Sequence, residues 1–286
     1  MTSTVVRTEA LVQDSSRGAR MQARAVVATQ LVTDAAGCAR TRICGLRSEA
    51  PLVLRPTIGK GAEPGVRRDG GAARVTIAAG AAGPVGGDRL ELTVLVGAGS
   101  TLVLTEASST LLLPGRDGAT SRADVDLTVE AGGTLVWLPE PVIAAHGCDH
   151  LMTVRAKVAK DARLLARDEI LLGRHDETPG LLRTRWRVDG PDGPLLAQDL
   201  ELGTRAGRSA AVAGRYRAVG SLVVVTPEWA RDTTRASELL ADTTAYLPLG
   251  GGTAVVSALA DDSRGLRNVL DDAMARLGPP WEVDGE

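Results

Sequence analysis

The sequence predicts an all-β fold of stacked, mainly antiparallel sheets, built from many short strands and closed by one C-terminal helix. Three observations carry that expectation. Leu90, Leu92, Val94 and Val96 alternate with more polar residues, Gly97-Ala98-Gly99 turns the chain, and Leu102 and Leu104 resume the period of two. Val125, Leu127 and Val129 repeat the unit, Gly132-Gly133 turns it, and Leu135 and Trp137 resume before Pro139 stops the pairing. Both units read as β-hairpins. Near the end, Asp261-Asp262-Ser263 precedes Leu266, Val269, Leu270, Ala273, Met274 and Leu277, whose spacings of three and four make one apolar helical stripe. Gly278-Pro279-Pro280 then ends it.

The remaining elements follow in order. Residues 1–20 are polar and aperiodic and read as a flexible tail. Apolar stretches from Ala23 to Val32 and from Arg40 to Leu54 read as strands, and the glycine, proline and charge of residues 59–71 as an exposed loop. Met152, Val154, Ala156 and Val158 define the core side of a further strand, opposite Leu151, Thr153, Arg155 and Lys157. Asp161-Ala162 turns into a next strand. Asp189-Gly190 and Asp192-Gly193 supply turn chemistry for a hairpin joining Arg185–Val188 to Leu195–Leu202. Residues 221–226 read as a strand, 235–241 as a short helix, and Gly250-Gly251-Gly252 leads into a strand at 253–260. The organisation expected is a tail (1–20), a single β-rich domain (21–278) and a C-terminal tail (279–286).

Composition narrows the function classes. With 286 residues, 44% of them hydrophobic, the chain can bury one large core. The net charge is -2 and basic residues are interleaved with acidic ones, so no nucleic-acid footprint is expected. Lysine stands only at 60, 157 and 160 and phenylalanine is absent, a bias that fits GC-rich coding and carries no functional weight. Cys38, Cys44 and Cys148 form an odd set without repeated spacing, which fits a reducing cytoplasm better than a disulfide framework. The N-terminus lacks the apolar run of a signal peptide and no stretch of about 18 apolar residues exists. A soluble cytoplasmic protein without a membrane role is expected.

The central block also carries motifs. Gly86-Gly87-Asp88 precedes its first strand, Trp137-Leu138-Pro139 closes its second unit, and Asp168 stands in LLARDEILLGR, which ends in Gly173-Arg174. With a strand running into Arg55-Pro56 and a final capped helix, the chain resembles the urease accessory proteins of the UreD/UreH type over roughly residues 40–278. The resemblance implies a non-enzymatic scaffold of the urease maturation complex, needed for nickel insertion into apo-urease. Partners implied are apo-urease, accessory protein F and, through F, the GTPase G. No permanently bound cofactor is implied, only transient nickel passing through a polar interior, with Asp88 and Asp168 at the family's acidic positions. Three positions depart from the family pattern: Val136 replaces a glutamate, Arg167 a tryptophan, and Thr110-Leu111-Leu112-Leu113 a Lys-x-Tyr-Arg segment.

Read as chemistry, the chain shows no catalytic constellation. Gly97-Ala98-Gly99-Ser100-Thr101 lacks the lysine of a phosphate loop. His146, Cys148 and His150, at spacings of two, would share one face of an extended segment, and imidazole with thiolate suits nickel, zinc or copper. They support the alternative of a double-sheet β metalloenzyme or metal-binding module, although the His-x-His pattern of cupins is absent. Asp88 reads equally as a turn cap, and Asp168 reads more simply as an ion-pair partner of Arg167 or Arg174.

Overall fold

The structure is a computed structural model, describing residues 20–35, 37–59, 63–66, 71–232 and 234–281. The tail expected at 1–20, apart from Arg20, lies outside the described residues, as do residues 282–286 and much of the 59–71 loop.

The chain opens with β1 (Gln22–Thr33), β2 (Ala39–Arg47), β3 (Leu52–Pro56) and β4 (Ala73–Ala79). The central block forms β5 (Arg89–Val96), β6 (Thr101–Glu106), β7 (Thr110–Leu112), β8 (Ser121–Val129), β9 (Thr134–Leu138) and β10 (Val142–Ala144). There follow β11 (Asp149–Val158), β12 (Arg163–Leu172), β13 (Leu181–Gly190), β14 (Gly193–Leu202) and β15 (Ala218–Val225). Last come β16 (Glu238–Ala241), β17 (Thr244–Gly250), β18 (Thr253–Ala260) and α1 (Ser263–Ala275).

Two sheets face each other. The first has the order β14-β13-β11-β8-β5-β1-β2, the second β16-β17-β18-β15-β12-β9-β6-β4-β3, with β10 and β7 attached beside β12. The expected antiparallel pairing is corrected here. β13, β11, β8, β5 and β1 run parallel in the first sheet, and β12, β9, β6 and β4 run parallel in the second. Antiparallel ladders flank these centres, and the sheets are mixed.

The reason lies in the glycine turns. β5 and β6 are not paired with each other; the turn at Gly97-Ala98-Gly99 carries the chain from one sheet to the other, and Gly132-Gly133 does the same for β8 and β9. Each such arch stacks on the next through backbone bonds, as from Gly99 N to Ala131 O (2.9 Å) and from Arg163 N to Gly133 O (2.8 Å). The chain therefore coils, and Arg89 faces Arg122 in one sheet at the same offset that Thr101 faces Thr134 in the other. Alternation cannot separate a hairpin from an arch, because both leave one strand face apolar. The β13–β14 hairpin does form. The helix expected at 235–241 does not: residues 238–241 are the edge strand β16, paired to β17.

Alternating residues of both sheets meet in one core, where Val94, Leu127 and Val154 face Leu102, Leu135 and Leu164. Trp137 and Trp186 pack there with ring centroids 5.9 Å apart. A second apolar layer lies outside the second sheet, under α1. Asp262 caps that helix by accepting from Gly265 N at 2.7 Å. Leu266, Leu270 and Ala273 bury its stripe against Leu165, Leu222 and Val256, and Trp281, beyond the helix, is fully buried in the same layer. Leu266, Leu270 and Trp281 together contribute roughly 5–8 kcal/mol before chain entropy is counted.

Candidate functional site

At the end of the sandwich away from the arches the two sheets do not close completely. A cavity of about 90 Å³ remains between them, with an apolar lining that includes Leu90, Leu92, Met152 and Trp137. Its polar groups are Glu106, Thr110, Asp124, Glu140, His150, Asp168 and Glu169, of which Asp124 is paired with Arg155. A second cavity of about 70 Å³ shares Glu106, Ile77 and Thr110 with it, which puts Glu106 between the two.

The strand order explains why charge is tolerated here. β9 pairs with β12 as far as Trp137 opposite Ala166, and β10 resumes with Val142 opposite Ile170. Between them Pro139 and Pro141 have no N–H to give, and Arg167, Asp168 and Glu169 of β12 are left without a ladder partner on that side. The Trp-Leu-Pro motif thus makes a window in the second sheet, with Glu140 between its two prolines.

The two faces of β12 treat charge differently. Asp168 is 7% exposed and faces the interior, where it pairs with neither Arg167 nor Arg174. Burial pushes its carboxyl up to about 6, with the neighbouring Trp186 indole pulling the other way. Glu106 is pushed up to about 7 by burial, against the hydrogen bond it accepts from the Glu140 backbone N–H, with the negative charge of Glu140 adding a smaller push upward. Arg167 and Glu169 pair on the side of the helix. Arg167 reaches Glu169 at 2.8 Å and Asp271 at 2.9 Å, while Arg267 of α1 reaches Glu169 at 2.6 Å and Glu140 at 3.1 Å. Arg267 therefore stands at the window as a resident cation. Arg167, where the resemblance places a tryptophan, belongs to the same network, and Val136 fills the layer under α1.

The structure separates His146, Cys148 and His150. Residues 146–147 form a turn, with Gly147 at φ +72°, and the extended segment begins only at Asp149. His146 is exposed, with Nδ1 3.3 Å from Thr178 O. Cys148 is buried among apolar side chains, which raises its thiol to about 11. His150 is buried in the cavity wall, and desolvation lowers its imidazole to about 4, so it is neutral. Among the described residues no group of three or more His, Cys, Asp or Glu side chains is placed to hold a metal ion.

Asp88 is built as a cap. Its Oδ1 accepts from Met21 N at 2.9 Å and its Oδ2 from Val85 N at 2.8 Å, and it is not part of the cavity wall. Gly86 is required because a Cβ there would lie 2.4 Å from Gly115 N, and Gly87 because its φ is +96°. Gly173 has φ +78°, and Arg174 forms a surface ion pair with Glu177 at 2.8 Å. Leu138 packs against the layer under α1 and Pro139 lines the cavity.

Glu106, Glu140, Glu169 and Arg267 escaped the reading of the sequence. A signal was present: three consecutive charges, Arg167-Asp168-Glu169, interrupt a strand that is apolar on both faces, and buried charges need partners.

Fold and site together define a coiled β scaffold, mixed in strand direction, with an acid-lined interior and a helix closing one face. The model of the UreD urease accessory protein family matches residues 22–283. The chain is 41% identical to the urease accessory protein UreD of Streptomyces avermitilis, over 82% of this chain and 90% of that one. It is 42% identical to the UreD of Frankia alni, over 80% and 85%, and 41% identical to that of Streptomyces coelicolor, over 81% and 89%. The chain belongs to the UreD urease accessory protein family. Its relatives are named as accessory proteins of urease and not for a catalysed reaction. Among the described residues no helix is long and apolar enough to cross a membrane.

Proposed function

We propose that this chain is a scaffold for nickel insertion into apo-urease, bridging urease to accessory protein F and, through F, to the GTPase G. The observation that supports it best is the acid-lined cavity between the sheets. A buried carboxylate is costly unless something cationic meets it. Glu169 meets Arg167 and Arg267. Among the described residues no cationic side chain pairs with Asp168 or Glu106, and burial keeps both pKa values raised although Asp168 accepts from the Trp186 indole and Glu106 from the Glu140 backbone N–H. A divalent cation passing through would relieve that cost, held by oxygen ligands weakly enough to move on. Nickel is cargo in this reading, and no resident metal is needed. Asp168 and Glu106 are the groups proposed to meet it, whereas Asp88 is occupied with backbone N–H groups.

The test is a deletion strain grown at limiting nickel. Urease subunits should be made in normal amount but be nickel-poor and inactive, and supplying the chain on a plasmid should restore both. Full nickel content without the chain would refute the role.

A further inference from the structure

We propose that His150 is a nitrogen ligand for the cation in transit, with Ser121 holding its Nε2 lone pair open toward the cavity. The inference rests on the reading that the cavity receives a divalent cation, and goes beyond it in naming a ligand that selects the metal.

Three observations carry it. His150 is 2% exposed and lines the cavity, while Ser121, fully buried, lies behind it and outside the lining. The Ser121 Oγ is 2.8 Å from His150 Nδ1 and 3.3 Å from the backbone oxygen of Asp149. The arrangement that makes hydrogen bonds of both contacts has the hydroxyl proton on Asp149 O, which can only accept, and Oγ accepting from Nδ1–H, and this is the tautomer proposed. The neutral ring then has no proton on Nε2, and that atom has no hydrogen-bond partner among the described residues. A histidine that donates one ring N–H to a fixed oxygen and turns the other nitrogen to open space has the arrangement of a supported metal ligand.

The consequence is selectivity. Carboxylates alone do not distinguish nickel from magnesium or calcium, but an imidazole nitrogen beside them favours nickel, cobalt and zinc. Because no three His, Cys, Asp or Glu side chains converge among the described residues, water would complete the coordination sphere, as suits passage better than storage.

The chain has three histidines, and His146 and His175 are exposed, so both can be replaced without touching the core. The experiment uses the untagged full-length His146→Ala/His175→Ala variant, labelled with ¹⁵N-histidine, whose only imidazole is His150. At neutral pH its two ring nitrogens should show the Nδ1–H tautomer. Adding Ni²⁺ alone should broaden Nε2 beyond detection, and excess Mg²⁺ should leave it sharp. In the otherwise unaltered chain, His150→Gln should weaken Ni²⁺ binding by about tenfold or more. An Nε2–H tautomer, or Ni²⁺ binding that leaves the His150 nitrogens sharp, overturns the role of His150 and leaves the acidic cavity standing. No Ni²⁺ binding by any version overturns both.

Discussion

Glu106 shows how much the interior asks of a single side chain. Its carboxyl rises from an ordinary value of 4.5 to about 7, so the fold favours the protonated form. That contribution to stability is fully present below pH 4.5 and is lost as pH rises through about 7; Asp168 adds the same trend through about 6. A shift of that size corresponds to about 3 kcal/mol, discounted to roughly 1–2 because Glu106 is only partly covered. Glu106→Gln should therefore raise the melting temperature at pH 8 and flatten its decline between pH 5 and 8. A melting temperature lowered at pH 8 would show that the ionised carboxylate is already satisfied by the protein. Metal binding should follow the opposite slope, weakening as pH falls and the carboxylates protonate. Residues such as these were only partly legible in the sequence. Asp168 was visible as an acid in a strand, but its direction depends on which side of β12 faces the cavity. Asp88 looked the same as Asp168 on paper and is a turn cap, because Val85 N and Met21 N reach both of its oxygens.

At the scale of elements, α1 is more than a lid over apolar surface. Arg267 joins it to Glu169 and Glu140, and Asp271 joins it to Arg167, across the window left by the two prolines. Removing Arg267 leaves the buried Glu169 with Arg167 as its one remaining ion-pair partner among the described residues. Arg267→Ala should destabilise the chain by about 2–3 kcal/mol, less than a fully buried pair would cost, since its side chain keeps 27% of its exposure. Urea unfolding of Arg267→Ala, Glu169→Gln and the double variant would check this. The double variant should be more stable than the sum of the singles, and simple additivity would show that the pair is not coupled. The helix itself was legible, because the cap and the stripe are both local. The arches were not. Leu90 to Leu104 satisfies the period of two whichever way the turn leads, and only the contacts with β8 and β9 show that the chain changes sheets. The segment at 235–241 failed for a related reason: Leu239-Leu240-Ala241 suits a helix, but pairing with β17 decides its state.

For the whole molecule, the coil accounts for the site. Parallel stacking of arches fixes the sheets at one end, and the breaks after β6 and β9 open them at the other. Glu106 ends one strand and Glu140 follows the other, so the positions where pairing fails are the positions that carry acid. The family could be recognised from Gly86-Gly87-Asp88 and Trp137-Leu138-Pro139 because those motifs encode backbone requirements, a close approach to Gly115 in one case and an interrupted ladder in the other. The cavity could not, since its wall is assembled from strands far apart in the chain. The central claim is that cargo nickel passes this acid-lined interior. Its most direct test is the nickel content of urease purified from cells carrying Glu106→Gln with Asp168→Asn, grown at limiting nickel, with the variant as abundant and as folded as the wild type. The account predicts intact urease subunits with nickel and activity reduced together. Urease loaded to the wild-type level would contradict it.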